Sequence, residues 1–251
     1  MIDVKRFIYN LDACINKNDM GGARRCIEFW ENEAREVRDD RALLTILNEG
    51  VGYYRRSKKK TKALQATEEC LTLVDKLGLS ESDSGAVVLV NAATTMAFFH
   101  EEERAIKLYD CAESYFNATG KTDTYEFAAL LNNRAAVYNE LKRYDEAERD
   151  WLRAIEVLKV EGRHDGEIAI SLVMLAHLTY DRDDTAYEKV EAILDEAWDY
   201  LNSDRIIKDG NYAYVLKKCA PSFEYFKRKM EAESLREVAQ EIYDQNRQQE
   251  R

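Results

Sequence analysis

The sequence predicts an all-α protein, an α-solenoid of about six antiparallel helix pairs. Three observations carry this prediction. Only 10 Gly and 1 Pro occur in 251 residues, so little interrupts helix and the turns must be short. The β-branched alternation of strands is scarce, which leaves no material for a sheet. A ruler of small residues also runs the length of the chain. Ala23, Ala63, Ala105, Ala147, Val190 and Ala232 stand 40, 42, 42, 43 and 42 residues apart, and recurrence at one such interval marks stacked units of supersecondary structure.

The elements follow from that ruler. The pairs are expected at about 2–17 with 20–38, 41–56 with 60–77, 84–99 with 102–118, 124–141 with 144–160, 166–181 with 186–202, and 210–226 with 228–248. In each pair the first helix is called A and the second B. Seven residues after each ruler mark lie Trp30, Cys70, Ala112, Ala154, Ala197 and Ala239, mostly small. Four after it lie Ile27, Thr67, Tyr109, Trp151, Leu194 and Arg236, mostly large. Twelve before it, on helix A, lie Leu11, Val51, Ala93, Ala135, Leu178 and Ala220, with Ala176 as the alternative to Leu178. Positions i and i+7 share one face of a helix. Small residues there let two helices cross closely, and large ones such as Tyr138 and Trp151 fill the space between pairs. One pair cannot bury both of its faces, so pairs stack.

Turn signals fall at the joints: "KLGLSESDSG" (76–85), "NATGKTD" (117–123), "EGRHDG" (161–166) and "NSDR" (202–205). Pro221 lies inside the sixth A helix, which is expected to kink or restart there. No linker separates two domains. The reading is a single solenoid domain over 1–251, with repeats at about 2–40, 41–80, 83–120, 124–162, 165–204 and 208–250.

The segment Leu130–Leu158, "LLNNRAAVYNELKRYDEAERDWLRAIEVL", resembles a tetratricopeptide repeat. Ala135, Tyr138, Ala147, Trp151 and Ala154 stand at that family's signature positions, with Trp for the usual Phe. The repeat interval is near 42 rather than about 34, and the customary terminal proline is missing. Both features resemble the long-helix variant of kinesin light chains and of peptide-pheromone receptors of the Rap type. "HDGEIAISLVMLAHLTY" (164–180) is similar to the start of a light-chain repeat. The resemblance implies a right-handed superhelix whose A helices line a ligand-binding groove. It also implies a protein-interaction function.

Positions on that groove are counted from the small residue of each A helix. They include Asn48, Arg55 and Arg56 in pair two, and Asn91 and Thr94 in pair three. Pair four supplies Asn132, Asn133 and Asn139, pair five His177 and Tyr180, and pair six Lys217 and Lys218. Asn91 and Asn133 share one repeat position. A carboxamide both donates and accepts, and so can hold a peptide backbone without reading its sequence; the resemblance implies the same role. Arg55 and Arg56, with Lys217 and Lys218, could select an acidic segment or phosphopeptide. "NNRAAVY" also resembles the middle of a chaperone-tail carboxylate clamp. The flanking clamp positions hold Val90, Thr94, Ile170 and Met174, so that clamp is incomplete.

Charge narrows the partners. The net charge is −11 and the pI about 5.0, which disfavours nucleic acid and anionic membrane. "RRSKKKTK" (55–62) is the one basic run and reads as a solvated turn. Residues 165–207 carry eleven acids against three bases. No apolar stretch is long enough for a membrane span, and the charged N-terminus is not a signal peptide. Cys14, Cys26, Cys70, Cys111 and Cys219 are odd in number and scattered, as expected of reduced, mostly buried cytoplasmic thiols.

Nothing points to catalysis. His100, His164 and His177 lack metal-ligand or nucleophile spacing, and no phosphate-binding glycine loop or nucleophile elbow is present. No cofactor or metal is expected. The leading reading is a non-catalytic cytoplasmic adaptor that holds a protein or peptide segment. The alternative is a peptide-responsive regulator of the Rap type, although the first pair begins at residue 2 and no helix-turn-helix reader precedes it. The apolar stripe of the last helix, Met230, Leu235, Val238, Ala239 and Ile242, could serve a homodimer or simply cap the stack.

Overall fold

The computed structural model describes residues 1–248 and contains, among them, twelve α-helices and no strand. The helices are α1 (Val4–Asn16), α2 (Met20–Glu36), α3 (Asp40–Arg56), α4 (Lys60–Lys76), α5 (Asp83–Phe98) and α6 (Glu102–Thr119). Then follow α7 (Tyr125–Glu140), α8 (Tyr144–Glu161), α9 (Asp165–Arg182), α10 (Tyr187–Leu201), α11 (Gly210–Tyr225) and α12 (Lys229–Gln248). Each expected pair is present, with ends moved by a few residues at most. Two compact units are formed: residues 1–15 with 19–121, and residues 16–18 with 122–248.

Most of the helices end by one device. Backbone N–H groups reach back five residues, as Asp39 to Ala34 (2.9 Å), Lys59 to Tyr54 (2.9 Å), Arg143 to Tyr138 (2.8 Å) and Arg228 to Phe223 (2.8 Å). Such a bond needs a left-handed residue just past the helix. Gly78, Gly120 and Gly162 supply it after α4, α6 and α8. Asn18, Arg38, Lys58, His100, Lys142 and Lys227 supply it elsewhere, with φ between 54 and 68°. These six explain why so few glycines suffice. Helix starts are capped by Asp19, Asp39, Ser82, Thr124 and Asp209, whose side chains accept from the N–H three residues on.

The ruler positions form the cores. Ala63, Ala105, Ala147, Ala232, Ala112, Ala154, Ala197 and Ala239 have no measurable exposure. In the first unit Ala63 packs in one cluster with Phe7, Ile27 and Ile46, and Phe7 meets Trp30 edge-on at 6.4 Å. In the second, Trp151, Leu194 and Phe223 fill the equivalent space, with Trp198 and Phe223 at 5.8 Å. A helices also touch the next A helix, α3 with α5, α7 with α9 and α9 with α11. A Cβ on Gly166 would lie 3.3 Å from both methyls of Val215, so glycine there permits the close approach of α9 and α11. Successive B helices are tied by exposed ion pairs, including Arg35–Glu69 (2.6 Å), Arg104–Glu68 (2.6 Å) and Lys159–Glu196 (3.0 Å).

Two expectations are corrected. The sixth A helix does not restart: α11 runs through Pro221 to Tyr225. Pro221 is exposed, and the carbonyl that its missing N–H would have met belongs to exposed Lys217, where water can serve it. The cysteines are not mostly buried; Cys70 and Cys219 are, Cys14 and Cys26 are half-buried, and Cys111 is exposed. All five are free thiols. The apolar stripe of α12 is largely spent on its own unit, since Leu235, Ala239 and Ile242 are buried and Val238 is half-buried. Met230 alone stays exposed. In the fifth pair, Ala176 and Leu178 are both buried, so burial does not choose between them.

Candidate functional site

The expected ligand positions lie on the A helices of each unit. In the first unit, α3 and α5 bring Asn48, Asn91 and Arg55 together. Asn91 Nδ2 donates to Asn48 Oδ1 (3.0 Å). Arg55 Nη1 donates to Thr95 Oγ1 (3.0 Å) and to the Asn91 carbonyl (3.4 Å). Arg55 is therefore a strut between α3 and α5, half-buried against a stationary partner. Arg56 is exposed. Thr94 turns inward: its hydroxyl donates to the Val90 carbonyl (2.7 Å) and lies 2.9 Å from the buried Tyr109 hydroxyl.

The basic run is more structural than its composition suggests. Lys60 Nζ donates to the Phe99 carbonyl at the C-terminus of α5 (3.2 Å) and sits 5.7 Å from the Phe99 ring. A cation is favoured at that end of a helix dipole. Lys62 pairs with Glu28 at 3.2 Å and covers the Tyr54 ring at 5.4 Å.

In the second unit, α7, α9 and α11 present the remaining positions. Asn132 Oδ1 accepts from Ser171 Oγ (2.7 Å), a rung between α7 and α9 like that between α3 and α5. Asn133 is half-buried, and no described group bonds its carboxamide. Asn139 Oδ1 is buried and accepts no hydrogen bond from a described residue. Lys217 lies over the Tyr243 ring at 5.7 Å, and both Lys217 and Lys218 are exposed. Arg55 and Lys217, both expected to select charge, are thus already engaged.

His177 and Tyr180 build a feature that position counting did not foresee. His177 Nε2 lies 2.9 Å from Ser222 Oγ. Its ring stands 5.1 Å from Tyr225 and 4.8 Å from Phe226. Tyr180 adds contacts to Tyr225 (6.0 Å), Phe226 (5.8 Å) and Tyr187 (6.4 Å). The result is a five-ring corner at the C-terminal ends of α9 and α11. Burial pushes the His177 imidazolium below its ordinary value, with Asp181 opposing. The Tyr180 phenol is held above its ordinary value by Tyr187 first, then burial, Tyr225, Asp184 and Asp181. The signal was present in the sequence as Tyr180, Tyr187, Tyr225 and Phe226. Their meeting was not, because no spacing within one helix relates them.

At the opposite ends of α9 and α11 lies an open cavity of about 550 Å³, lined by Tyr125, His164, Asp165, Arg205, Ile206 and Tyr212 among others. Arg205 spans it to the buried carboxylate of Asp165 through Nε (3.0 Å) and Nη2 (2.8 Å). His164 stacks on Tyr125 at 4.6 Å. Among the described residues, no helix is long and apolar enough to cross a membrane.

Comparison with known proteins agrees with this architecture. Residues 126–197 match the family model described as tetratricopeptide repeat. No curated protein matches the chain in sequence. Among solved structures, BtubC (BKLC) from P. vanneervenii superposes with a TM-score of 0.60 at 16% identity, covering 93% of this chain and 92% of that one. The Rap protein complexed with Competence and Sporulation Factor gives 0.57 at 16% identity, covering 97% and 74%. The apo form of RapI gives 0.60 at 13% identity, covering 96% and 97%.

Proposed function

We propose that this chain, a tetratricopeptide-repeat-type solenoid, is a non-catalytic adaptor that holds a peptide or protein segment along its A helices. The fold is typical of protein-interaction scaffolds. The observation that carries the reading is the set of half-buried carboxamides with unused capacity. Asn91 spends one donor on Asn48, and Asn132 spends one acceptor on Ser171. Asn133 spends none, and Asn139 keeps a buried oxygen unsatisfied. A buried acceptor without a donor is costly, and a main-chain N–H of a docked segment would meet that cost. Main-chain recognition also explains why no charged cluster or deep specificity pocket is required on these faces.

The test is capture from source-cell lysate by wild type and by the Asn91→Ala/Asn133→Ala double variant, read by mass spectrometry. The expected result is a protein retained by wild type and lost by the variant, with the melting temperature held within about 3 °C, the shift that ~1 kcal/mol would cause. Retention by the double variant overturns the carboxamide reading. A second reading is favoured by the fold shared with the Rap protein solved with its factor: a regulator that changes shape when a short peptide binds. It predicts a change in scattering radius on peptide addition, where an adaptor stays constant.

A further inference from the structure

Aromatic faces in this chain are regularly covered by a cation of the chain itself. Lys62 covers Tyr54 (5.4 Å), Lys121 covers Tyr115 (6.0 Å), Arg143 covers Tyr138 (4.4 Å) and Lys159 covers Tyr200 (5.6 Å). The corner at the C-terminal ends of α9 and α11 departs from that habit. Among the described residues, no lysine or arginine lies over Tyr180, Tyr187, Tyr225 or Phe226. The nearest arginines along the chain are held elsewhere, Arg182 by Asp145 (2.5 Å) and Glu148 (3.0 Å), and Arg228 by Asp195 (2.7 Å) and Glu231. Yet the rings are open, Tyr187 being 62% and Tyr225 54% exposed.

Carboxylates also stand beside the rings. Asp181 and Asp184 act on the Tyr180 phenol through space, and neither carboxylate has an ion-pair partner among the described residues. Asp183, between them, accepts from the Thr185 N–H (2.9 Å) and hydroxyl (2.6 Å), which orders the turn that carries Asp184. Ring faces carry negative potential, and a cation within about 6 Å of a centroid is attracted to them. Carboxylates beside the rings add the same sign of field.

We propose that the Tyr180–Tyr187–Tyr225–Phe226 corner receives a cationic side chain, an arginine or lysine, of the segment docked along α9 and α11. Arginine fits better than lysine, because a planar guanidinium stacks on rings while its edge donates to carboxylates. His177 packs against Tyr225 (5.1 Å) and Phe226 (4.8 Å), and burial disfavours its charged form. The inference rests on the adaptor reading and adds the chemistry of its partner: a segment with a basic anchor rather than an acidic one.

The experiment is a titration of the full chain with N-acetyl-arginine amide, with the neutral isostere N-acetyl-citrulline amide and with N-acetyl-lysine amide. Binding is read from the aromatic carbon–proton resonances of the five rings. The expected result is a saturable shift at Tyr180, Tyr187, Tyr225 and Phe226 with the arginine amide, a weaker one with lysine, and none with citrulline. Tyr225→Ala should abolish the arginine response. Asp181→Asn with Asp184→Asn should weaken it by about two- to fivefold, the range of exposed charge pairs. Silence of these rings towards arginine, an equal response to citrulline, or an arginine response surviving Tyr225→Ala overturns the inference. The two readings fail separately. Silent rings with intact lysate capture remove only the cation site, whereas responsive rings with an empty capture lane remove only the adaptor reading.

Discussion

Arg134 is the residue whose role only neighbours define. It is 3% exposed and faces Asp150, which is 2% exposed. Its Nε and Nη2 donate to the two carboxylate oxygens at 2.7 and 3.2 Å, joining α7 to α8. A buried pair of this kind need not stabilise against apolar residues of equal volume, but removing one partner strands a charge. Arg134→Ala is expected to cost ~3–5 kcal/mol in urea unfolding. Arg134→Met with Asp150→Leu should recover most of that loss. If the double change is as damaging as the single one, the pair is more than a mutual neutralisation. His177 gives the pH dependence at this scale. Its folded-state value lies below the unfolded one, so its contribution is complete above about pH 6.5 and is lost as pH falls through the folded value. Wild type should therefore lose more thermal stability than His177→Gln between about pH 7 and pH 5. Parallel curves for the two proteins would remove this residue from the acid response.

The helix pair is the scale at which sequence and structure agree most closely. The alanines of the ruler are buried because a side chain larger than a methyl would hold crossing helices apart, and that requirement repeats with every pair. Ala147→Leu, between α7 and α8, should cost ~1–3 kcal/mol by overpacking. A neutral result would mean that the crossing can open without loss. Turns at this scale are less legible. Lys58, Lys142 and Lys227 occupy left-handed conformations that composition assigns to glycine. For an ordinary side chain that conformation costs about 1–2 kcal/mol, partly offset by the greater unfolded-state freedom of glycine. Lys142→Gly is expected to raise stability by ~0.5 kcal/mol, measured by thermal unfolding. A lower melting temperature would show that Lys142 contributes contacts outweighing its backbone strain.

Across the whole molecule, stability is expected to spread from neighbour to neighbour rather than through one central core. In the second unit α9 touches α7, α8, α10 and α11, and α12 touches α11. In such an array local opening propagates along the stack. Ala239→Asp in α12 should reduce hydrogen-exchange protection first in α11 and α12, and least in α7 and α8 of the same unit. Uniform loss across that unit would instead show a single cooperative block. The acidic balance of the chain, −11, acts on the same scale and favours basic partners.

The sequence by itself determined the helix pairs, their interval and their small-residue crossings. Those depend on periodicity within a helix and on recurrence between helices, both of which are written along the chain. It also gave Asn91 and Asn133 the same repeat position, because helical position is a matter of counting. Tertiary structure alone decided what each side chain does there. Arg55 and Lys217 look like free cations in a count, yet one is bonded across α3 and α5 and the other lies over Tyr243. Asn139 and Asn133 look alike, yet the Asn139 oxygen is buried without a donor. The aromatic corner draws on residues as far apart as His177 and Phe226, which meet at 4.8 Å. The reason is physical: helix formation is decided by local spacing, whereas a binding surface is decided by which rotamers of distant helices come within a few ångströms of each other.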